Sequence, residues 1–173
     1  MHTRKALLPD GPEIHGLIFE YAREAQLIPR SLAEINENIR DFTVVENRGK
    51  IVGCGALHIY GRHMAEVRSI AVWPQYRGRN AGSVLIKGLI KEARQHRLPC
   101  LCLFTRIPKF FARLGFRKVR RARLPDKYYN DCRNCGRRDN CDEVAMVRGR
   151  LPSFAVLEEP RQKNEPKPKG KKK

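Results

Sequence analysis

The sequence predicts an α/β domain, and three observations predict it. Residues 65–93, AEVRSIAVWPQYRGRNAGSVLIKGLIKEA, read as strand, tight loop and helix in succession. Ahead of them, two β-branched runs flank Asn47-Arg48-Gly49-Lys50, which has the chemistry of a hairpin turn. The 173 residues can bury a real core yet are few enough for one domain with an appendage. The domain is assigned to residues 1–152, and a basic C-terminal tail to 153–173.

The elements follow in order. Lys5 to Leu8 can form a short strand, ended by the turn cluster Pro9-Asp10-Gly11-Pro12. A helix follows from about Glu13, with Ile14, Leu17, Ile18, Tyr21 and Ala22 on one face and Pro29 beyond its end. Ser31, with Glu34 three residues on, has capping-box spacing before a second short helix carrying Leu32, Ile35 and Ile39. Arg30, just before it, reads as an exposed loop arginine. Phe42 to Glu46 and Ile51 to Tyr60 are strands, and Gly61-Arg62-His63 turns the chain into the next strand, completing a three-stranded meander. Val67, Ile70 and Val72 mark that strand, on which alternation gives Glu66, Arg68 and Ile70 a common face. Pro74 has no N–H to give and stops it. The helix from about Ala81 buries Leu85, Ile86, Leu89, Ile90 and Ala93. Beyond Pro99, residues 100–104 read as a buried strand. A short helix through Phe110 and Phe111 is stopped by Gly115, and strands start near Phe116 and Val144. A polar excursion, 126–142, lies between these last two.

The loop between strand and long helix carries the functional signal. The first N–H groups of a helix have no internal partner, and the helix dipole makes that end positive, so a phosphate is stabilised there. Gly78 and Gly82 let backbone approach a ligand, Asn80 tolerates a left-handed conformation, and Arg77 and Arg79 add charge. Arg77-Gly78-Arg79-Asn80-Ala81-Gly82 resembles the acyl-CoA pyrophosphate loop of the Gcn5-related N-acetyltransferase (GNAT) family, with Asn80 in place of the first glycine of that pattern. The preceding strand and the later FFARLGF segment match in the same order, over most of residues 1–150.

The resemblance implies a three-layer α+β fold. Its central sheet is mixed but mostly antiparallel, one parallel strand pair is splayed apart, and helices cover both faces. It implies acetyl-CoA as co-substrate, with the diphosphate on Arg77, Gly78, Arg79, Asn80, Ala81, Gly82 and Ser83. The pantetheine arm would lie along Ile70, Ala71 and Val72. It also implies that the segment joining the first two helices helps form the acceptor site, which makes Arg30 a candidate contact. TRIPKFFARLGF, Leu124-Pro125-Asp126 and the AMV strand further resemble the acetyltransferase domain of amino-acid N-acetyltransferases that make N-acetylglutamate.

Acetyl transfer to an amine needs a base to take the ammonium proton and donors for the developing oxyanion. Glu66 is the candidate base; a salt bridge with Arg68 or His63 is the competing reading and would make it a poorer one. The position at which many family members carry a tyrosine acid is Phe111, and Tyr128 and Tyr129 in the excursion are alternatives. Arg68, Arg106 and Lys109 form a cationic group suited to an acidic amino acid, since the guanidinium fork matches a carboxylate. The expected reaction is acetylation of L-glutamate at its α-amino group, the first step of arginine biosynthesis. The alternatives are another amine (a protein N-terminus, a lysine or a small amine) or a non-catalytic acetyl-CoA- or RNA-binding module.

Charge and cysteines complete the reading. The formal charge is +18, from 36 basic and 18 acidic residues. The lysine- and proline-rich tail is expected to be disordered, keeping the protein soluble or touching nucleic acid. No apolar run is long enough for a membrane span and no signal peptide opens the chain, so a cytoplasmic protein is expected, with a homodimer as an open expectation. Cys54, Cys100 and Cys102 fall in apolar strands and read as core. Cys132, Cys135 and Cys141 are read three ways: a structural zinc site lacking an obvious fourth ligand, a redox disulfide, or reduced thiols.

Overall fold

A computed structural model describes residues 1–135 and 138–153. Seven strands form one sheet: β1 (His2–Lys5), β2 (Phe42–Asn47), β3 (Lys50–Gly61), β4 (Met64–Val72), β5 (Cys100–Thr105), β6 (Arg117–Lys118) and β7 (Val144–Gly149). Their spatial order is β1-β2-β3-β4-β5-β7-β6. All neighbours are antiparallel except β4 and β5, which run parallel. The helices are α1 (Gly11–Arg23), α2 (Leu32–Glu37), α3 (Ala81–Gln95), α4 (Pro108–Ala112) and α5 (Pro125–Asn130). This is the mixed, mostly antiparallel architecture that the family resemblance implies.

Local chemistry accounts for most boundaries. Arg48 and Gly49 both have positive φ, 51° and 74°, so the β2–β3 hairpin turns with the hand that fits the strand twist. The Ser31 hydroxyl accepts a hydrogen bond from the Glu34 amide at 3.1 Å and caps α2. Asn80 sits in the left-handed region at φ 68° and opens α3. The first strand ends earlier than expected, at Lys5, and Leu8–Asp10 form a 3₁₀ turn instead. There the Asp10 carboxylate accepts from the Leu7 amide at 2.8 Å and pairs with Arg4 at 2.6 Å, which closes the turn before a strand can continue.

The two faces of the sheet bury separate cores. Leu85, Ile86 and Leu89 of α3 pack on Val45, Val52, Leu57, Ala65 and Val67. On the other face Ile14, Leu17 and Ile18 of α1 and Ile35 of α2 pack on Val44, Cys54, Ala56 and Ala71. Alternation along β4 breaks once. Arg68 pairs with Ala56 but Ala71 with Cys54, so β4 carries one extra residue, and Ser69 has φ 52°. The expected common face of Glu66, Arg68 and Ile70 is therefore corrected: beyond the bulge Ile70 packs toward the α3 core together with Ala65 and Val67. Among the described residues no helix is long and apolar enough to cross a membrane. The expectations for residues 154–173, the body of the basic tail, lie outside the described residues.

Candidate functional site

The site lies where β4 and β5 part. They pair only at Ala65–Leu101 and Glu66–Cys102. Beyond these pairs β4 continues to Val72, bonded to β3 alone, and β5 continues to Thr105, bonded to β7. The facing edges are left to receive an extended ligand chain by main-chain hydrogen bonds. Ile70, Ala71 and Val72 lie on this parted stretch.

The end of β4 runs through Pro74–Tyr76 into the loop and then α3. Gly78 has φ 73° and Asn80 φ 68°, conformations that turn successive N–H groups outward. Among the described residues the amides of Ala81, Gly82 and Ser83 donate to no acceptor in the chain, and the helix ladder begins with Val84 donating to Asn80 at 3.0 Å. These three amides head a helix of 15 residues, and Arg77 and Arg79 flank them from the exposed loop. The arrangement suits a diphosphate. One contact at this end was missed from sequence. Tyr21 of α1 donates its hydroxyl to the Val72 carbonyl and accepts from Arg77 Nε at 3.1 Å, with the Arg77 guanidinium 4.9 Å above its ring. On sequence Tyr21 was one more residue of an apolar helix face, with nothing to distinguish it.

A cavity of about 420 Å³ opens beside the parted strands. Its walls are Tyr21 and residues 26–28 and 30, the β4 segment from Glu66 to Ile70, the end of β5, and Lys127 and Glu143 from the later excursion and its exit. Four lining residues are cationic (Arg30, Arg68, Arg106 and Lys127) and two are carboxylates, Glu66 and Glu143. Arg30 pairs with Glu34, Arg106 with Asp142 and Glu143, and Lys127 with Glu66 and Asp131, which leaves the lining rich in guanidinium donors of the kind that match a carboxylate. The cation group expected from sequence is thus redrawn. Arg68 and Arg106 are there, while Lys109 sits exposed on α4 away from the lining. Arg106 holds both Asp142 oxygens from Nε, at 2.9 and 2.8 Å, and donates to the Gln26 carbonyl at 3.1 Å. Arg30 is not an exposed loop arginine: its side chain is 14% exposed, donates to Ser69 Oγ at 3.0 Å and pairs with Glu34.

Glu66 is 2% exposed, on the cavity floor. Its expected partners Arg68 and His63 are replaced by Lys127, whose Nζ is 2.6 Å from Oε1, while the Tyr60 hydroxyl donates to Oε2 at 2.7 Å. Lys127 also reaches Asp131 at 2.7 Å. Burial works against its charge, but Glu66 and Asp131 outweigh that and hold it above the usual lysine range. Asp131 is lowered: burial opposes its charge and the Lys127 ammonium prevails. His63 faces Asp126 instead, at 3.2 Å.

The remaining expected residues are placed as follows. Phe111 is buried in the α3 core against Phe110 and Phe116 and reaches the cavity wall, where it offers an apolar surface and no proton. Tyr128 and Tyr129 are 46% and 53% exposed and do not line the cavity. Cys132, Cys135 and Cys141 are half-buried free thiols. The zinc expectation finds no geometric support: among the described residues no three His, Cys, Asp or Glu side chains are grouped to hold a metal ion. Two positions of this excursion, 136 and 137, lie outside the described residues.

Comparison with known proteins agrees with this geometry. Residues 38–118 match the family model described as an acetyltransferase (GNAT) domain. An uncharacterized N-acetyltransferase of Chlorobaculum tepidum is 34% identical over 146 residues, covering 84% of this chain and 94% of that protein. An amino-acid acetyltransferase of Mycobacterium tuberculosis is 34% identical over 120 residues, 68% of each chain. Among solved structures, N-acetylglutamate synthase of Neisseria gonorrhoeae, complexed with coenzyme A and N-acetyl-glutamate, superposes with a TM-score of 0.77 at 28% identity. The match covers 87% of this chain but 35% of that one, so the likeness extends over about a third of the synthase.

Proposed function

Because the chain belongs to the GNAT family of acetyl-CoA-dependent acetyltransferases, we propose that its acceptor is an acidic amino acid, L-glutamate first, acetylated on the α-amino group. In a cell that would be the first committed step of arginine biosynthesis. The observation that carries this reading is the cationic lining of the cavity beside the parted strands. The guanidinium forks of Arg30, Arg68 and Arg106 on that lining match the carboxylates of such an amino acid. The likeness to an N-acetylglutamate synthase that binds N-acetyl-glutamate supports the same choice.

The residues then take roles by position. The free amides of Ala81, Gly82 and Ser83, with Arg77 and Arg79, hold the diphosphate of acetyl-CoA. The open edge at Ile70, Ala71 and Val72 holds its pantetheine arm. Arg30, Arg68 and Arg106 orient the acceptor carboxylates, and Glu66 at the floor takes the proton of the ammonium, directly or through one water. The amine then attacks the thioester carbonyl, with main-chain N–H near Val72 stabilising the oxyanion. No side chain needs to serve as acid, because the CoA thiolate is a stable leaving group and can be protonated by solvent.

The test is thiol release from acetyl-CoA, measured with each amino acid in turn. Release with glutamate, with kcat/KM above that for glutamine, supports the reading. Release only with uncharged amines would move the acceptor, and no release with any amine would leave a binding module.

A further inference from the structure

Lys127 belongs to no motif singled out in the sequence, yet it is one of only four buried polar or charged residues among those described, at 8% exposure. It comes from α5, a helix whose Pro125 supplies a fixed φ at the start. From there Nζ reaches Glu66 Oε1 at 2.6 Å and Asp131 Oδ2 at 2.7 Å, and lies 5.6 Å from the Phe104 ring centroid. Glu66, Lys127 and Phe104 all line the acceptor cavity.

A carboxylate this buried would ordinarily keep its proton at neutral pH, because desolvation penalises the anion. A base must begin as the anion. The Lys127 ammonium supplies the opposite charge that keeps it so. Asp131 shares the ammonium with Glu66, so the three groups carry a net charge of −1.

We propose that Lys127 is a positioning residue that holds Glu66 ionised and aimed at the acceptor, and that Asp131 limits how strongly it does so. The proposal rests on the reading of Glu66 as base. In the step it serves, one ammonium proton moves to Glu66 and the three groups go from −1 to neutral. The N–C bond then forms and the C–S bond breaks. The bonding pair leaves on sulfur, and the second nitrogen proton goes to the thiolate, directly or through solvent.

The groups facing Glu66 are Tyr60 and the cross-strand partner His58 from β3, the latter held by Asp41 at 3.1 Å, Cys102 from β5 and Lys127 from α5; Asp131 and Asp126 stand behind, and Arg68 is next but one along β4. Burial pushes the Cys102 thiol upward and the Glu66 charge adds to this; burial likewise raises the Tyr60 hydroxyl, again aided by Glu66. Neither gives up a proton near neutral pH.

The experiment compares Lys127→Met, Lys127→Arg and Asp131→Asn in the full chain by the pH dependence of kcat/KM for the acceptor. Removing the cation should move the acidic limb up by roughly 1–3 pH units, with acetyl-CoA affinity unchanged and rate regained at high pH. Lys127→Arg should leave the limb in place. Asp131→Asn should move it down and lower the plateau. An unmoved limb in a folded Lys127→Met protein overturns the proposal. A second measurement needs no acceptor: infrared titration of the Glu66 carboxyl, identified by its loss in Glu66→Gln. If wild-type protein turns over no amino acid but this carboxyl still titrates higher in Lys127→Met, the acceptor assignment fails and the coupling stands. If turnover is normal and the carboxyl titrates alike in both, the coupling fails alone.

Discussion

Gly82→Trp tests the diphosphate site most directly. A Cβ built at Gly82 stands 3.4 Å from Phe110 Cζ and 3.9 Å from Cε2, ordinary van der Waals contact, so a methyl group fits without movement. Gly82→Ala should fold normally and gain up to about 1 kcal/mol from helix propensity. The phenyl ring closes that side to anything larger. An indole must turn the other way, across the free amides of Ala81, Gly82 and Ser83. Loss of two hydrogen bonds to a charged phosphate, at roughly 1.5–3 kcal/mol each, removes about 3–6 kcal/mol. That is roughly a 10²–10⁴-fold rise in the Kd for CoA. Calorimetric titration of CoA into wild type, Gly82→Ala and Gly82→Trp reads it, with thermal unfolding as the control for folding. Gly82→Ala should bind like wild type to within a few fold. A folded Gly82→Trp protein that binds CoA as tightly as wild type would refute the assignment of this loop.

Three further outcomes are expected. Glu66→Gln should keep the shape and the Tyr60 contact but lose the proton acceptor, cutting kcat by roughly 10²–10⁴-fold with the CoA Kd unchanged; kcat within threefold of wild type would remove Glu66 as base. Arg106→Ala should raise the glutamate KM more than the acetyl-CoA KM, because Arg106 lines the acceptor cavity and bonds Asp142 and the connection after α1; the opposite ranking of the two KM changes would place it at the cofactor. Burial pushes the Cys54 thiol from 9.0 up to about 12, so the folded state keeps a proton that the unfolded chain loses. The sign follows: this contribution is intact below pH 9 and declines as pH rises toward 12, by up to about 1.4 kcal/mol per unit. Denaturant unfolding of Cys54→Ala should show a shallower alkaline decline than wild type, and an identical decline would contradict it.

What could be read from sequence was local. The hairpin turn, the Ser31 cap, the left-handed Asn80 and the apolar stripe of α3 each depend on a few neighbouring residues, and each is found as expected. The cysteines Cys54, Cys100 and Cys102, read as core, are buried. What escaped was non-local. The partner of Glu66 comes from an excursion with no apolar period to mark it as a helix, and its lysine reads as one of many in a chain with 36 basic residues. Arg30 looked exposed because its acceptor, Ser69 Oγ, is presented only where β4 bulges.

On the proposed assignment of residues, that bulge lets one strand serve two ligands. Up to Arg68, alternation sends Ala65 and Val67 into the α3 core and leaves Glu66 and Arg68 for the acceptor cavity. Had the alternation continued unbroken, Ile70 would share the face of Glu66 and Arg68 and lose the packing on the α3 core that it now makes while also lining the cavity. It would also turn Ala71 away from the α1 core that it fills. The extra residue at Ser69 resets the phase, so Ile70 joins the α3 core and Ala71 the α1 core. Arg30 uses the displaced Ser69 hydroxyl to anchor the wall of the cavity. A sheet strand offers one phase per face. Two sites with different needs on consecutive halves of one strand require a register change between them, and the bulge falls between Glu66 and the parted stretch assigned to acetyl-CoA.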